Sequence, residues 1–307
     1  MFCSYFDKYI PQKISSRIHY RFLAFEHKFF KETKLCTQKS DLKEIVPNFD
    51  IFICGSDQIW APNEFDDVYM LSFVPDSKEK YSYAASIGLL NIPEYLRSTY
   101  KYYLSKFNEI TVREKQGADL LRKQLGLKST VVLDPTFLLN ANDWSKIAIR
   151  KRNIISKYIL CYFLGKTEEH RILVEKISCR MKLPVISISR YAMDIRPGFT
   201  TDTDAGPMEF LGYIKNAEIV VTDSFHGLCL SINMSKNVYV VERFAENCEI
   251  NQNSRIYNIL DILNMNDRLI RDMPMNIENI DYVQVQEKLS NERKKAYEFI
   301  SSIVKTN

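Results

Sequence analysis

Short runs of β-branched and aromatic residues alternate with helix-period segments along nearly the whole chain, and this alternation most limits what it can fold into. In the first half such runs lie at 49–54, 81–85, 109–113 and 130–134. In the second half they lie at 158–164, 184–189, 218–222 and 237–241. Each is too short for a helix and too continuously apolar for a strand with one wet face. Strands of this kind are buried on both sides, in parallel sheets covered by helices. Helical periodicity fills much of the space between them, at 93–107, 115–125, 168–181, 208–216 and 225–234. Further helices are expected at 255–263 and 283–304. The polar, basic stretch at 142–156, with Arg150-Lys151-Arg152, separates the two series. The pattern predicts an α/β protein of two Rossmann-like domains with parallel sheets. The expected boundaries are 1–145, 155–282 and a closing helix at 283–307, and 307 residues suffice for two such cores.

Bulk properties remove several function classes. The net charge is +4, and the basic residues are interleaved with acids rather than gathered on one face, which argues against nucleic acid. Seven cysteines are scattered without a C-x-x-C pair, which suggests reduced thiols, a cytoplasmic setting and no zinc site. No apolar run reaches the roughly 18 residues of a membrane span. Residues 10–30 have Ile10, Ile14, Ile18, Phe22, Phe25 and Phe29 on one helical face, with Lys13, Arg17, Arg21 and Lys28 between them. Such a face commonly packs on its own domain. It is also compatible with peripheral association at the inner face of a membrane.

Two strand ends carry candidate chemistry. Val220-Val221-Thr222-Asp223-Ser224-Phe225-His226-Gly227 reads as a buried strand turning directly into a helix. Unpaired N–H groups and the positive end of the helix dipole favour an anion there, and His226 in the first turn can exchange a proton beside it. The plainer alternative is that Ser224 caps the helix and His226 is structural. The run at 49–54 ends in Gly55-Ser56-Asp57-Gln58-Ile59-Trp60. Open α/β sheets place ligands at the carboxyl ends of their strands. Asp57 could act as a base or orient a hydroxyl, or more plainly serve as an N-cap. Gln58 and Trp60 suit a sugar's hydroxyls and its apolar face. Ser86, in Ser86-Ile87-Gly88, follows another strand. Arg113 ends a third, where it could grip an anion or simply form a salt bridge to Glu114 or a neighbour. Asp134, before Pro135, reads mainly as a turn residue. There is no Walker A, G-x-G-x-x-G, H-E-x-x-H or EF-hand pattern.

Taken together and in order, these motifs resemble the polysaccharide pyruvyl transferase family. The residues that carry the resemblance are Gly55-Ser56-Asp57-Gln58-x-Trp60, Ser86-Ile87-Gly88, Val112-Arg113-Glu114 and Leu133-Asp134-Pro135-Thr136. Gly206-Pro207-x-Glu209-Phe210 and Thr222-Asp223-Ser224-Phe225-His226-Gly227 complete the set. The match runs from about Phe25 to the last helix. The resemblance implies a glycosyltransferase-B-like fold of two facing domains. It implies transfer of the pyruvyl unit of phosphoenolpyruvate to a sugar, usually as a cyclic ketal on a cell-surface glycan precursor. Phosphoenolpyruvate is then donor substrate, with no further cofactor and no metal, and the partner is a saccharide acceptor, lipid-linked or free. His226 is expected as general acid or phosphate partner and Asp57 as base or acceptor-orienting group. The substrate-binding set is Gly55, Ser56, Gln58, Trp60, Ser86, Arg113, Arg190, Ser224, Phe225, Gly227 and Arg243.

Two departures from the family pattern matter. Nothing in Met1 to Ile10 matches the family's opening strand and Asn-Tyr-Gly loop, so the acceptor-side domain is expected to lack its first βα unit. Ser224 also stands where some members carry arginine, which leaves Arg113, Arg190 and Arg243 as candidates for the donor phosphate. Two rival readings accompany this one. One is a nucleotide-sugar glycosyltransferase of the same fold, with Glu242 on the ribose. The other is a non-catalytic, glycan-binding remnant.

Overall fold

A computed structural model describes residues 12–151, 157–248 and 251–305. Among the described residues nine strands, every pairing parallel, alternate with helices, so the class expected from the alternation is the one observed. The expected missing βα unit concerns residues 1–10, which lie outside those described.

The chain folds into two compact units that do not follow chain order. One, the Asp57 unit, comprises Thr33–Leu138, Phe244–Leu263 and Glu287–Asn307. The other, the His226 unit, comprises Met1–Glu32, Leu139–Arg243 and Asn264–Gln286. The expected boundaries cut the chain sequentially, whereas the two compact units take its first helix and its C-terminal segments crosswise. Helix α1 (Gln12–Phe29) turns Ile18 into the His226 unit at 4% exposure. Its Arg21 guanidinium donates to the Asp204 carboxylate at 3.2 Å and lies 3.6 Å from Glu209. The basic and apolar residues of α1 that suggested a membrane surface are thus partly used in packing. Phe29, at the helix end, remains 41% exposed.

In the Asp57 unit, β1 (Ile51–Cys54) pairs with β2 (Glu79–Ser82), and β3 (Thr111–Val112) pairs with β4 (Thr130–Val131). Single bridges from Tyr81 to Glu109 and from Ala85 to Val112 join the two pairs. Helix α2 (Lys39–Ile45) precedes β1, α3 (Glu94–Leu104) links β2 to β3 and α4 (Lys115–Leu120) links β3 to β4, continuing as a wider turn to Leu125 before Gly126. Phe52, Trp60, Ile87, Tyr100, Leu104 and Leu121 lie in one core.

The His226 unit is built on a five-stranded sheet. After α5 (Ala141–Ile147), β5 (Ile159–Tyr162) leads through α6 (Glu168–Met181) to β6 (Val185–Ile188) and β7 (Phe199–Asp202). Then α7 (Pro207–Asn216) returns the chain to β8 (Ile219–Thr222), and α8 (Phe225–Asn233) leads to β9 (Asn237–Val240). The order is β7-β6-β5-β8-β9. Strand β7 was not anticipated, because Phe199-Thr200-Thr201-Asp202 carries one apolar residue and sits at the sheet edge. Beyond β9, α9 (Ser254–Leu263) belongs to the Asp57 unit. The last helix, α10 (Tyr282–Lys305), buries Leu289, Ala296 and Ile303, as its period predicts.

Gly55, directly after β1, has φ +137°, and a Cβ there would stand 2.0 Å from the Tyr83 carbonyl oxygen. Both backbone freedom and space demand glycine. Gly55→Ala is expected to lower unfolding free energy by more than ~2 kcal/mol, measurable by denaturant titration at an unchanged m-value.

Candidate functional site

In the Asp57 unit the strand ends are organised by a buried guanidinium. Arg113, 3% exposed, follows β3 and donates to Asp134 at 2.8 Å and to Asp57 at 3.2 Å, with Glu114 at 3.9 Å. Burial disfavours its charge, but Asp134, Asp57 and Glu114 outweigh burial and raise its pKa. Arg113 is therefore an internal pairing centre, and of its two sequence readings the ion pair is the one seen. Asp134 does two jobs, since it also caps the turn Pro135–Phe137 through the Thr136 N–H at 3.0 Å. Ser86 is fully buried, and its Oγ donates to Glu114 at 2.9 Å.

Asp57 is the part of this cluster nearest solvent, with its side chain 41% exposed. A second guanidinium reaches it: Arg255 Nη1 lies 3.8 Å away. Arg255 was missed from sequence, where it looked like one residue of an amphipathic helix. Helix α9 carries it in, and Asn258 anchors that helix by accepting from the Lys115 N–H and donating to the Arg113 carbonyl. Gln58 and Ser56 are half-buried. Gln58 packs on Gly88, where an added Cβ would lie 2.1 Å from Nε2, and that buried amide nitrogen has no hydrogen-bond partner.

Trp60 requires a correction. It is fully buried, its indole N–H donates to the Tyr69 carbonyl at 3.1 Å, and its ring packs edge-on against Phe107. A ring with no exposed face offers no platform to a sugar. The aromatic ring that recommended it is a core residue.

In the His226 unit, β5 leads to β6 and β7 on one side, then the chain crosses to β8 and β9 on the other. The carboxyl ends of β5 and β8 thus form a topological switch point, where open α/β sheets place ligands. Helix α8 begins there. Ser224 is its N-cap, accepting from the Gly227 N–H at 3.2 Å, so the capping alternative holds for Ser224. Gly227 has no room for a side chain, since a Cβ would lie 2.9 Å from Thr222 Oγ1. Phe225 is buried. His226 is half-buried in the first turn, its ring 5.4 Å from that of Phe225.

The neighbouring strand ends bring cations. Arg243 follows β9 and donates to the Asp223 carbonyl at 3.1 Å. Arg190 follows β6, where Asp194 accepts from the backbone N–H of Arg190 and of Tyr191 at 2.7 and 2.8 Å. Asp194 is held by buried Arg171, at 3.0 Å from Nε and 2.6 Å from Nη2. Tyr191 donates to the Leu164 carbonyl at 2.9 Å. Burial raises the pKa of the Tyr162 and Tyr191 phenols, while the charges of Arg190 and Arg243 lower both. Both guanidiniums therefore act on the same small region at the end of β5. Among the described residues no three His, Cys, Asp or Glu side chains gather so as to hold a metal ion, and no helix is long and apolar enough to cross a membrane.

The chain, then, carries a helix start with the Arg243 guanidinium beside it in one unit and a guanidinium–carboxylate cluster in the other. A family model described as polysaccharide pyruvyl transferase matches residues 3–243. The chain belongs to the polysaccharide pyruvyl transferase family. That is a transferase family whose members act in polysaccharide biosynthesis, which implies a saccharide acceptor. No curated protein matches the chain. Among solved structures, a UDP-GlcNAc 2-epimerase from Methanocaldococcus jannaschii, in complex with UDP-GlcNAc and UDP, is similar over 96% of this chain and 88% of its own. Its TM-score is 0.51 at 14% identity, a likeness of fold. The same epimerase in a second structure is similar over 87% of this chain and 88% of its own, at TM-score 0.48 and 13% identity. The E. coli heptosyltransferase WaaC is similar over 80% and 81%, at 0.38 and 12%. The family's Gly206-Pro207-x-Glu209 motif is structural in this pyruvyl transferase family member: Pro207 opens α7, and Glu209 accepts from the Gly206 N–H.

Two measurements test this construction. Removing buried Arg171 leaves the Asp194 carboxylate two backbone N–H donors but no guanidinium partner, so Arg171→Ala is expected to cost about 3 kcal/mol in chemical unfolding. His170, in the first turn of α6, has its pKa lowered from 6.5 chiefly by burial. Because the unfolded chain binds that proton more readily, its contribution to stability is intact above pH 6.5 and is lost as pH falls below it. His170→Leu is expected to remove that part of the acid loss in unfolding experiments across this range.

Proposed function

We propose that this chain transfers the pyruvyl unit of phosphoenolpyruvate onto a pair of saccharide hydroxyls, forming a cyclic ketal. The observation that carries the reading is the start of α8: half-buried His226 sits in its first turn, at a sheet switch point reached by Arg190 and Arg243. Phosphoenolpyruvate brings a phosphate and a carboxylate, and such a place offers N–H donors, a dipole and guanidiniums to receive them. The chemistry needs a proton on the donor's methylene carbon and attack of one sugar hydroxyl at C2. The C2–O bond to phosphate then breaks, inorganic phosphate leaves, and the second hydroxyl closes the ring as its proton departs.

His226 is assigned as general acid or phosphate partner, since an imidazole can supply that proton near neutral pH. Asp57, the solvent-facing carboxylate of its cluster, is assigned to orient an acceptor hydroxyl. Its two guanidinium neighbours make it an anchored hydrogen-bond acceptor more than a mobile base. Arg113 is assigned to hold Asp57, because its Nη1 and Nη2 donate to Asp134 and Asp57.

Calorimetric titration of the full chain with phosphoenolpyruvate, and separately with UDP-GlcNAc, tests the reading. Saturable binding of phosphoenolpyruvate is expected, with His226→Ala weakening it about tenfold or more, equivalent to about 1.4 kcal/mol. Binding of the nucleotide sugar alone would favour the glycosyltransferase reading. Binding of neither, with unchanged folding, would sink the enzymatic assignment.

A further inference from the structure

We propose that Asp223 is a positioning residue for the donor site: it clamps the turn after β5 and thereby seats the Arg243 guanidinium beside the start of α8. The inference rests on the reading of that place as the phosphoenolpyruvate site.

Asp223 is 1% exposed, and its two carboxylate oxygens are both engaged. Oδ1 accepts from the Leu164 N–H and Oδ2 from the Gly165 N–H, each at 2.7 Å. Arg243 approaches the same residue from the end of β9, with Nη2 donating to the Asp223 carbonyl at 3.1 Å and Nε 3.9 Å from Oδ2. A carboxylate taken out of water persists only where such donors are fixed around it. One side chain therefore ties the ends of β5, β8 and β9 together. Gly165 shows how closely: a Cβ there would lie 2.8 Å from Asp223 Oδ2 and 3.1 Å from Arg243 Cγ. The stem of Arg243 passes directly over the turn that Asp223 holds, so moving the turn moves the guanidinium.

This arrangement has a chemical consequence. The Leu164 and Gly165 N–H groups follow the first strand of the unit, where a nucleotide-binding α/β fold would offer N–H groups to a diphosphate. Here they are occupied by a carboxylate. The anion is left to the start of α8 and to the guanidiniums, which suits a single phosphate with a nearby carboxylate.

A double-mutant cycle read by phosphoenolpyruvate titration of the full chain tests the assignment. Asp223→Asn keeps the shape, but its amide nitrogen faces one of the two N–H groups. It is expected to raise Kd about tenfold in the parent and less than about threefold in an Arg243→Ala background. Gly165→Ala changes no charge, and it is expected to weaken binding in the same coupled way. That second variant decides the matter if Asp223→Asn fails to fold, as judged by thermal unfolding. Equal losses in both backgrounds, or no loss, would overturn the positioning role while leaving the donor site standing. No binding by the parent chain would overturn the donor-site reading and this inference with it.

Discussion

A carboxylate withdrawn from water has to be given donors, and at Asp223, Asp194 and Asp134 the donors are the ends of strands. Asp223 takes the two N–H groups that follow β5. Asp194 takes the two that follow β6, together with the Arg171 guanidinium. Asp134 takes the guanidinium that follows β3. Parallel strands buried on both faces leave few free polar groups along their length, so the polar chemistry gathers where they stop. These contacts fix the loops on which the candidate residues sit. Arg190 is held through Asp194, Arg243 through Asp223, and Asp57 through Arg113.

The two candidate clusters do different work with similar residue types. Around Arg113 the charged partners are acidic: Asp134 and Glu114 are buried, and Asp57 carries the network towards solvent. Around the start of α8 the balance is reversed. Asp223 is spent on backbone donors, and two guanidiniums act on the end of β5. An anionic donor suits the second environment and a neutral, hydroxyl-bearing acceptor the first.

Several sequence signals were legible because they are local. The helix α6 spans Glu168–Met181, the bounds its periodicity predicts. Gly55 is explained by its own φ and by the carbonyl it faces. Ser224 caps a helix, as serine before an apolar helical run should. Other signals misled because one pattern has two causes. Trp60 beside Gln58 reads equally as a sugar platform or as a core aromatic, and only its complete burial separates the two. Arg255 was invisible as a site residue, because its partner Asp57 lies almost two hundred positions earlier and nothing in a helix period records that.

By itself the sequence determined the α/β class, the parallel strands, the family and the two strand ends that carry its motifs. Each of these follows from periodicity, turn chemistry or short motifs in order, which are properties of neighbouring residues. The tertiary structure decided which charges meet. It placed Arg113 among three carboxylates, brought Arg255 to Asp57, buried Trp60, and assigned the first helix and the closing segments crosswise between the two units. Those outcomes depend on which apolar faces find each other across long stretches of chain, and burial then fixes the partner each polar group must take.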